Sequence, residues 1–424
     1  MKLGSTFILS AVANLVRILS GLVTTKVMAV QLGPSGVALL GQFANFHGLL
    51  CVLSTCATSQ GLTRLSAENP VGSNTFSTAI STGLKIALIT AAVVGLTALA
   101  FASPLAETLL QSSDLWPYIA LAGLTLIFHS ASVVILTILN GQQDSATYTR
   151  ISIAQGLVAS AFSIGGALLA GLTGVFAGMA LSIPFSLLIS MWLVRRKAWF
   201  RSTTFSSPYS STIAKKFVSF GLMSVATAVS TPVALLFVRD MLIDATSLET
   251  AGHWQAVWRI SEIYLGILVT TIGLYLLPKL TRAKDKANYI AELKRVFLLV
   301  VGLCACVSAV LLIGGHWVVR LLYSAAFDPM QTLFPLQLAG DFFKALALAM
   351  NTVLIVRVHV RQQMFGELFF AGLFVLASFL LVKDSGTNGI QIAYLISQFC
   401  WAGYLLFCVS RSIHDLPEKT EAAL

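Results

Sequence analysis

A chain of 424 residues that is 57% hydrophobic and only 10% charged is not a soluble domain, in which roughly a quarter of residues carry charge. The deficit recurs along the full length, which excludes a soluble enzyme on one apolar anchor and leaves a polytopic membrane protein. The net charge of +10 comes from 27 basic and 17 acidic residues, but the basic ones border apolar runs and do not mark a nucleic-acid surface.

Twelve apolar spans, all helical, are expected. The first six fall near residues 6–30, 36–60, 78–102, 116–139, 151–170 and 173–194. Lys2 precedes a run too long for a cleaved leader, so it reads as a first span. That span holds Asn14, Arg17 and Lys26. Asn14 and Arg17 share a helical face. An arginine at the bilayer centre costs at least ~2.5 kcal/mol against lipid, so Arg17 is expected to face protein or water. Lys26 can snorkel to an interface. Gln31-Leu-Gly-Pro-Ser-Gly36 is the first turn, since Gly33 and Pro34 stop one helix and Pro34 can start the next. The second span carries Gln42, Asn45 and His47 and is too polar to face lipid. Asn45 and His47 either contact a polar ligand or satisfy neighbouring backbone. Arg64 and Glu68 precede the third span, and Lys85 lies inside it. Gly171-Leu-Thr-Gly174 is a hairpin turn between spans five and six.

The connection from Arg195 to Lys216 contains six basic residues and no acid, with serine, threonine and Pro208 between them. Its flanking spans make it a cytoplasmic membrane border. The expected organisation is a six-helix lobe at 1–200, a basic connection at 201–216, a second six-helix lobe at 217–410 and a short cytoplasmic tail at 411–424.

Spans seven to twelve fall near 213–238, 254–277, 292–314, 331–356, 363–382 and 389–409. Pro232 kinks the seventh, which ends on Arg239 and Asp240, an expected pair at the outer mouth. On the eighth, Trp254 and Trp258 are four apart and Arg259 and Glu262 three apart, so all four lie near one face. Tyr264 follows. The bland reading is interfacial tryptophans with a solvated ion pair; the sharper one is a helix lining a polar cavity. On the tenth, Asp341 and Lys344 share a face that Asn351 extends. They either pair to lock the bundle or meet substrate in a cavity. Glu367 opens the eleventh span, and Gln391 and Gln398 lie in the twelfth. Glu262, Asp341 and Glu367 are the candidate gating or proton-coupling groups.

The six cysteines all sit in apolar segments without metal spacing, and the six histidines are scattered. Neither a P-loop nor a zinc set is visible. No cofactor and no metal are expected, and the chain reads as a transporter rather than an enzyme. Placing both termini in the cytoplasm puts nearly all loop lysines and arginines inside, leaving Arg239, Arg320 and Lys383 opposite. Halves of six spans each share an orientation, and Ser385-Gly-Thr-Asn-Gly389 echoes the turn at Gly171. Two such lobes rocking about a central cavity make an alternating-access transporter. Arg17, Lys26, Arg259 and Lys344 would give that cavity a cationic lining suited to a pyrophosphate. Trp254, Trp258 and Tyr264 would stack on sugars or seal its mouth.

Three stretches carry a family resemblance. They are Lys26-Val-Met-Ala-Val-Gln-Leu-Gly-Pro-Ser-Gly36; Trp254-Gln255, Ile260-Ser261, Tyr264-Leu265 and Tyr275-Leu-Leu-Pro278 in the eighth span; and Gln337-Leu338, Gly340-Asp341 and Lys344 in the tenth. In these the chain resembles the Wzx-type flippases of the multidrug/oligosaccharidyl-lipid/polysaccharide exporter superfamily. It looks closest to the branch that moves lipid III of enterobacterial common antigen. The resemblance implies an all-α, twelve-span fold of two lobes in a bacterial inner (cytoplasmic) membrane, with a cationic cavity placed here on Arg17, Lys26, Arg64, Arg239, Arg259 and Lys344. It implies transfer of an undecaprenyl-pyrophosphate-linked glycan to the periplasmic leaflet. The partners are that glycan, membrane lipids and, as candidates, a polysaccharide polymerase and a chain-length regulator. An O-antigen-unit flippase, a multidrug cation antiporter and a scaffold for polysaccharide assembly are the alternatives. The antiporter would carry more acidic than basic cavity groups.

Overall fold

The computed structural model describes residues 3–55, 58–282, 286–357 and 359–414. The side chains of Asn14 and Arg17, among others within helices, lie outside that description. The helices run α1 (Leu3–Thr55), α2 (Ser59–Glu68), α3 (Asn74–Ala100), α4 (Ala102–Leu110), α5 (Trp116–Gly141), α6 (Ser145–Val194), α7 (Ser202–Phe205), α8 (Ser211–Ala245), α9 (Leu248–Arg282), α10 (Lys286–Leu322), α11 (Phe334–Val356) and α12 (Val360–His414). Among the described residues every regular element is helical.

Straight, the 50 residues of α6 would reach about 75 Å at 1.5 Å per residue, more than twice a hydrocarbon core of ~30 Å. The helix turns back instead. Gly33 (φ 64°), Gly171 (φ 59°) and Gly386 (φ 52°) adopt left-handed backbone inside α1, α6 and α12. Glycine enters that region without a Cβ penalty. Three helices that fold back and six that do not (α3, α5, α8, α9, α10, α11) make the twelve long segments expected of the sequence.

By length and composition, seven helical stretches of the described residues qualify as membrane spans, each folded helix counted once. Their outer faces carry Leu96, Leu169, Ile313, Trp317 and Leu321, all exposed. In water such faces would aggregate; in a bilayer they meet lipid. The chain is an all-helical membrane protein.

Packing divides it into two units, Met1–Leu32 with Leu39–Val233, and Gly33–Ala38 with Ala234–Leu424. The core of the first unit includes Leu62, Phe76, Ile80, Ile138, Trp199 and Phe217. Phe217 belongs to α8 but packs over Gly61, where a Cβ would meet its ring at 2.5 Å. The basic connection is fastened to α3 as well. Ser81 Oγ reaches the carbonyls of Phe205 (2.9 Å) and Ser207 (2.6 Å). Lys85 Nζ donates to the Ser207 carbonyl at 2.9 Å, and the Ser210 amide donates to Thr82 Oγ1 at 3.1 Å. The packing division falls inside α8, just past Pro232. Asp144 caps α6 by accepting from the Thr147 amide at 3.2 Å and holds Lys197 Nζ at 2.5 Å.

In the second unit α9, α11 and both arms of α12 pack around one buried polar centre. Phe370 and Phe374 on the first arm of α12 face Trp401 and Tyr394 on the second. Asp341 and Phe343 of α11 meet Tyr394 and Phe399 of that second arm.

Candidate functional site

Asp341 is 1% exposed, and four donors converge on its two oxygens. From α9 come Ser261 Oγ (2.5 Å) and the Tyr264 hydroxyl, both to Oδ2. The Tyr394 hydroxyl donates to Oδ1 at 2.7 Å from α12, and Gln337 Nε2 donates at 3.2 Å from one turn earlier on α11. Gln337 Nε2 also reaches Ser261 Oγ at 3.0 Å. Ser261 and Tyr264 are three apart, and Gln337 and Asp341 four apart, the spacings that place side chains on one helical face. A buried carboxyl without partners is costly; here it ties three helical segments together.

Lys344 lies one turn further along α11. Its ammonium sits 5.0 Å from the centre of the Trp258 ring. Among the described residues no carboxylate lies within 4.0 Å of it, though Asp341 and Glu262 act on it at longer range. Of the two readings of Asp341 and Lys344, the lock by a direct pair is absent among the described residues: the aspartate has spent both oxygens on hydroxyl and amide donors.

Trp258 is the hinge of an aromatic row. It lies 5.6 Å from Trp254, 5.2 Å from Tyr394 edge-on and 6.2 Å from Phe374 in parallel. Arg239, fully buried, holds its guanidinium 5.5 Å over Trp254 and donates to Gln255 Oε1. The outer-mouth pair with Asp240 that the sequence suggested is not among the ion pairs of the described residues. Trp258 Nε1 donates to Glu262 Oε1 at 3.1 Å, and Arg259 Nη1 donates to Glu262 Oε2 at 2.9 Å. That last pair is about half exposed.

Trp254 and Trp258 are 0% and 3% exposed. Their faces are covered by protein cations and rings, and Tyr264 spends its hydroxyl on Asp341. In this structure neither indole presents an open face, while Tyr264 is half-buried. Four apart on α9, the two rings meet each other at a tilt of 46°.

Glu367 belongs to a separate set, accepting weakly from Asn351 Nδ2 (3.5 Å) and Gln363 Nε2 (3.4 Å). Asn351 extends the polar stripe of α11 toward Glu367, away from Asp341. Nearby in sequence, Arg357 Nε donates to Ser412 Oγ at 3.1 Å and its Nη2 to the Ser412 carbonyl at 3.1 Å, closing the end of α12.

In the first unit Lys26 and Asn45 are half-buried on the two arms of α1. Arg64 is exposed on α2 and pairs with Glu68 at 2.7 Å. The structure thus gathers Arg239, Trp254, Trp258, Arg259, Glu262, Tyr264, Asp341 and Lys344 into one neighbourhood of the second unit. Lys26, Asn45 and Arg64 stand elsewhere, in the first unit. Sequence reasoning assigned no site role to Ser261, Gln337 or Tyr394. The legible signal was Tyr394 lying between Gln391 and Gln398 on one helical face.

Residues 3–284 match the family model for polysaccharide biosynthesis protein. The chain is 26% identical over 396 residues to the lipid III flippases of Escherichia coli (strain K12) and Shigella flexneri, covering 93% of this chain and 95% of each relative. Among solved structures it resembles an inward-facing multidrug resistance MATE family transporter of the MOP superfamily (TM-score 0.78, 17% identity, 96% of both chains). It also resembles the lipid II flippase MurJ in an inward closed conformation (TM-score 0.75, 12% identity, 96% of this chain and 87% of that one). These two likenesses bear on the fold alone. With two thirds of its length matched by the family model, and an all-helical fold shared with MOP-superfamily transporters, the chain belongs to the polysaccharide biosynthesis protein family.

Proposed function

We propose that this chain moves an undecaprenyl-pyrophosphate-linked oligosaccharide, of the lipid III class of enterobacterial common antigen, from the cytoplasmic to the periplasmic leaflet of a bacterial inner membrane by alternating access. It carries its substrate and does not modify it. Both termini face the cytoplasm, and the product passes to a polysaccharide polymerase and its chain-length regulator. The near full-length similarity to two lipid III flippases supports the substrate class.

The observation that carries the reading is the state of Lys344: an intramembrane ammonium seated on a buried indole with no carboxylate at contact distance among the described residues. Charge held in a membrane without direct neutralisation is costly unless it serves an anionic partner. Lys344 supplies a point charge to a diphosphate, and Arg259, braced by Glu262, supplies forked donors. Asp341 holds the frame on which Lys344 stands. Separately, on the first unit, Asn14, Arg17, Lys26, Asn45 and Arg64 are proposed as further groups that meet the head group. Arg239 acts through Trp254. The polyprenyl tail stays in lipid, so only the head group needs a polar route.

Purified protein in liposomes, given a fluorescent lipid-linked glycan and a membrane-impermeant quencher, tests this. Flipping above protein-free vesicles is expected. Folded protein that moves no more lipid than empty vesicles overturns the reading.

A further inference from the structure

One helical turn beyond the Asp341 centre, toward the Gly386 bend, the second unit contains a second polar layer. Tyr394 touches both Asp341 and Phe374, and Trp258 touches both Tyr394 and Phe374. Each residue has a polar counterpart one turn away in the same direction: Gln337 for Asp341, Ser378 for Phe374, Gln391 for Tyr394 and Trp254 for Trp258. The register fixes this. The backbone of Leu381 abuts Gly389 across the bend of α12, which sets Ser378 level with Gln391. Gly340 abuts Tyr394 and Leu395, which sets Gln337 level with Gln391.

All four side chains are at most 1% exposed. Among the described residues five of their polar atoms have no hydrogen-bond partner: Trp254 Nε1, Gln337 Oε1, Ser378 Oγ, and Oε1 and Nε2 of Gln391. A buried polar atom left unsatisfied costs about 1–3 kcal/mol, and buried polar groups in native proteins are met by protein or by ordered water. The contacts at Gly340 and Gly389 set Gln337, Ser378 and Gln391 at one level, with Trp254 one turn from Trp258 on α9, and orphans on four neighbouring helical segments point to a shared occupant.

The chemistry of the set selects it. An indole N–H and an amide NH₂ only donate, two amide oxygens only accept, and a serine hydroxyl does both. A bare cation is met by acceptors alone and an anion by donors alone. Water does both and typically makes about three such bonds. We propose that Trp254, Gln337, Ser378 and Gln391 enclose an internal ordered-water site that bridges α9, α11 and the two arms of α12. Through Gln337, whose Nε2 bonds Asp341 and Ser261, the water layer buttresses the carboxyl centre beneath it.

Gln391→Met removes both orphan atoms at similar volume, and Gln337→Met removes the facing acceptor. If water bridges them, Gln391→Met lowers the melting temperature of the intact protein in nanodiscs. Gln337→Met then adds less in that background than it costs alone. If the amides are dry orphans, Gln391→Met leaves the melting temperature unchanged or raises it, which overturns the site. A structure of the full chain at water-resolving resolution gives a readout that does not depend on variants folding. Water within ~3.2 Å of Gln337 Oε1 and a Gln391 amide atom is expected; a direct Gln337–Gln391 bond, or a cation ringed only by oxygens, overturns it.

Discussion

Tyr394 donates its hydroxyl to Asp341 across 2.7 Å, and it reaches that far because Gly340, beside the aspartate, has no side chain. A Cβ at residue 340 would meet two carbons of the Tyr394 ring at 2.5 Å. Gly340→Ala must move either the ring or the helix, a cost of about 1–3 kcal/mol for an overpacked core, and the hydrogen bond weakens with it. Tyr394→Phe keeps the ring against Trp258 and removes only the donor, leaving Asp341 one bond short at about 1–3 kcal/mol. Thermal unfolding in detergent should show both variants destabilised, with Gly340→Ala at least as affected as Tyr394→Phe. A Gly340→Ala protein that melts like the parent would mean that the packing at Tyr394 has room for a methyl group.

Lys344 separates binding from scaffolding. It makes no ion pair within 4.0 Å among the described residues, so Lys344→Gln should leave the melting temperature within a few degrees of the parent. A charge-assisted hydrogen bond to a phosphate contributes about 1.5–3 kcal/mol, or ~10–100-fold in apparent affinity. In a liposome flipping assay the variant should therefore need that much more lipid-linked glycan for half-maximal rate. Lys344→Arg should recover part of it. If both variants lose stability and transport together, Lys344 is a packing residue.

Much of the fold was legible because it rests on composition and glycines. Apolar runs marked the spans, and the turns at Gly33, Gly171 and Gly386 fell where glycine sits next to turn residues. The neighbourhood of Asp341 and Lys344 was visible as charged residues with helical spacing inside apolar segments. Their partners were harder to read. Ser261 and Tyr394 reach Asp341 across 80 and 53 positions of sequence, and no local pattern encodes that pairing. Trp254 and Trp258 read equally as interfacial residues, sugar platforms or a seal, because periodicity shows which face a residue occupies, not what covers that face. Lys85 looked like one more intramembrane cation, yet it is spent on a carbonyl of the central connection.

That connection yields its own prediction. Ser81, Thr82 and Lys85 hold Phe205, Ser207 and Ser210 to α3 by four hydrogen bonds. Arg195, Arg196 and Arg201 are exposed along it. Ser81→Ala combined with Lys85→Met should release the strap without touching the apolar core of the first unit. Limited trypsin digestion in detergent should then cut within 195–216 several times faster than in the parent, while the melting temperature changes little. Equal cleavage rates would show that the strap is held by its aromatics, the buried Trp199 and the partly buried Phe205 among them, and not by these side chains.

The Asp144–Lys197 contact should give the first unit a defined pH dependence. Burial alone would raise the Asp144 carboxyl. The hydrogen bond from Lys197 and those from the Thr147 amide and hydroxyl outweigh it, so the group titrates below the usual carboxylate range. A carboxyl depressed in the folded state adds stability above its unfolded value near 4, and that stability is lost as pH falls through the folded value. Asn at residue 144 keeps a side-chain acceptor for the Thr147 amide, so Asp144→Asn removes the charge and not the cap. Lys197 is a little over one third exposed, so solvent screening holds the expected loss to about 0.5–1 kcal/mol at pH 7. Melting curves of parent and variant should differ at pH 7 and 5 and converge toward pH 3. Asp144→Ala should carry a further loss of about 1 kcal/mol from the missing cap, and that part should persist at low pH. A gap between parent and Asp144→Asn that stays constant from pH 7 to pH 3 would assign the contact to packing and not to charge.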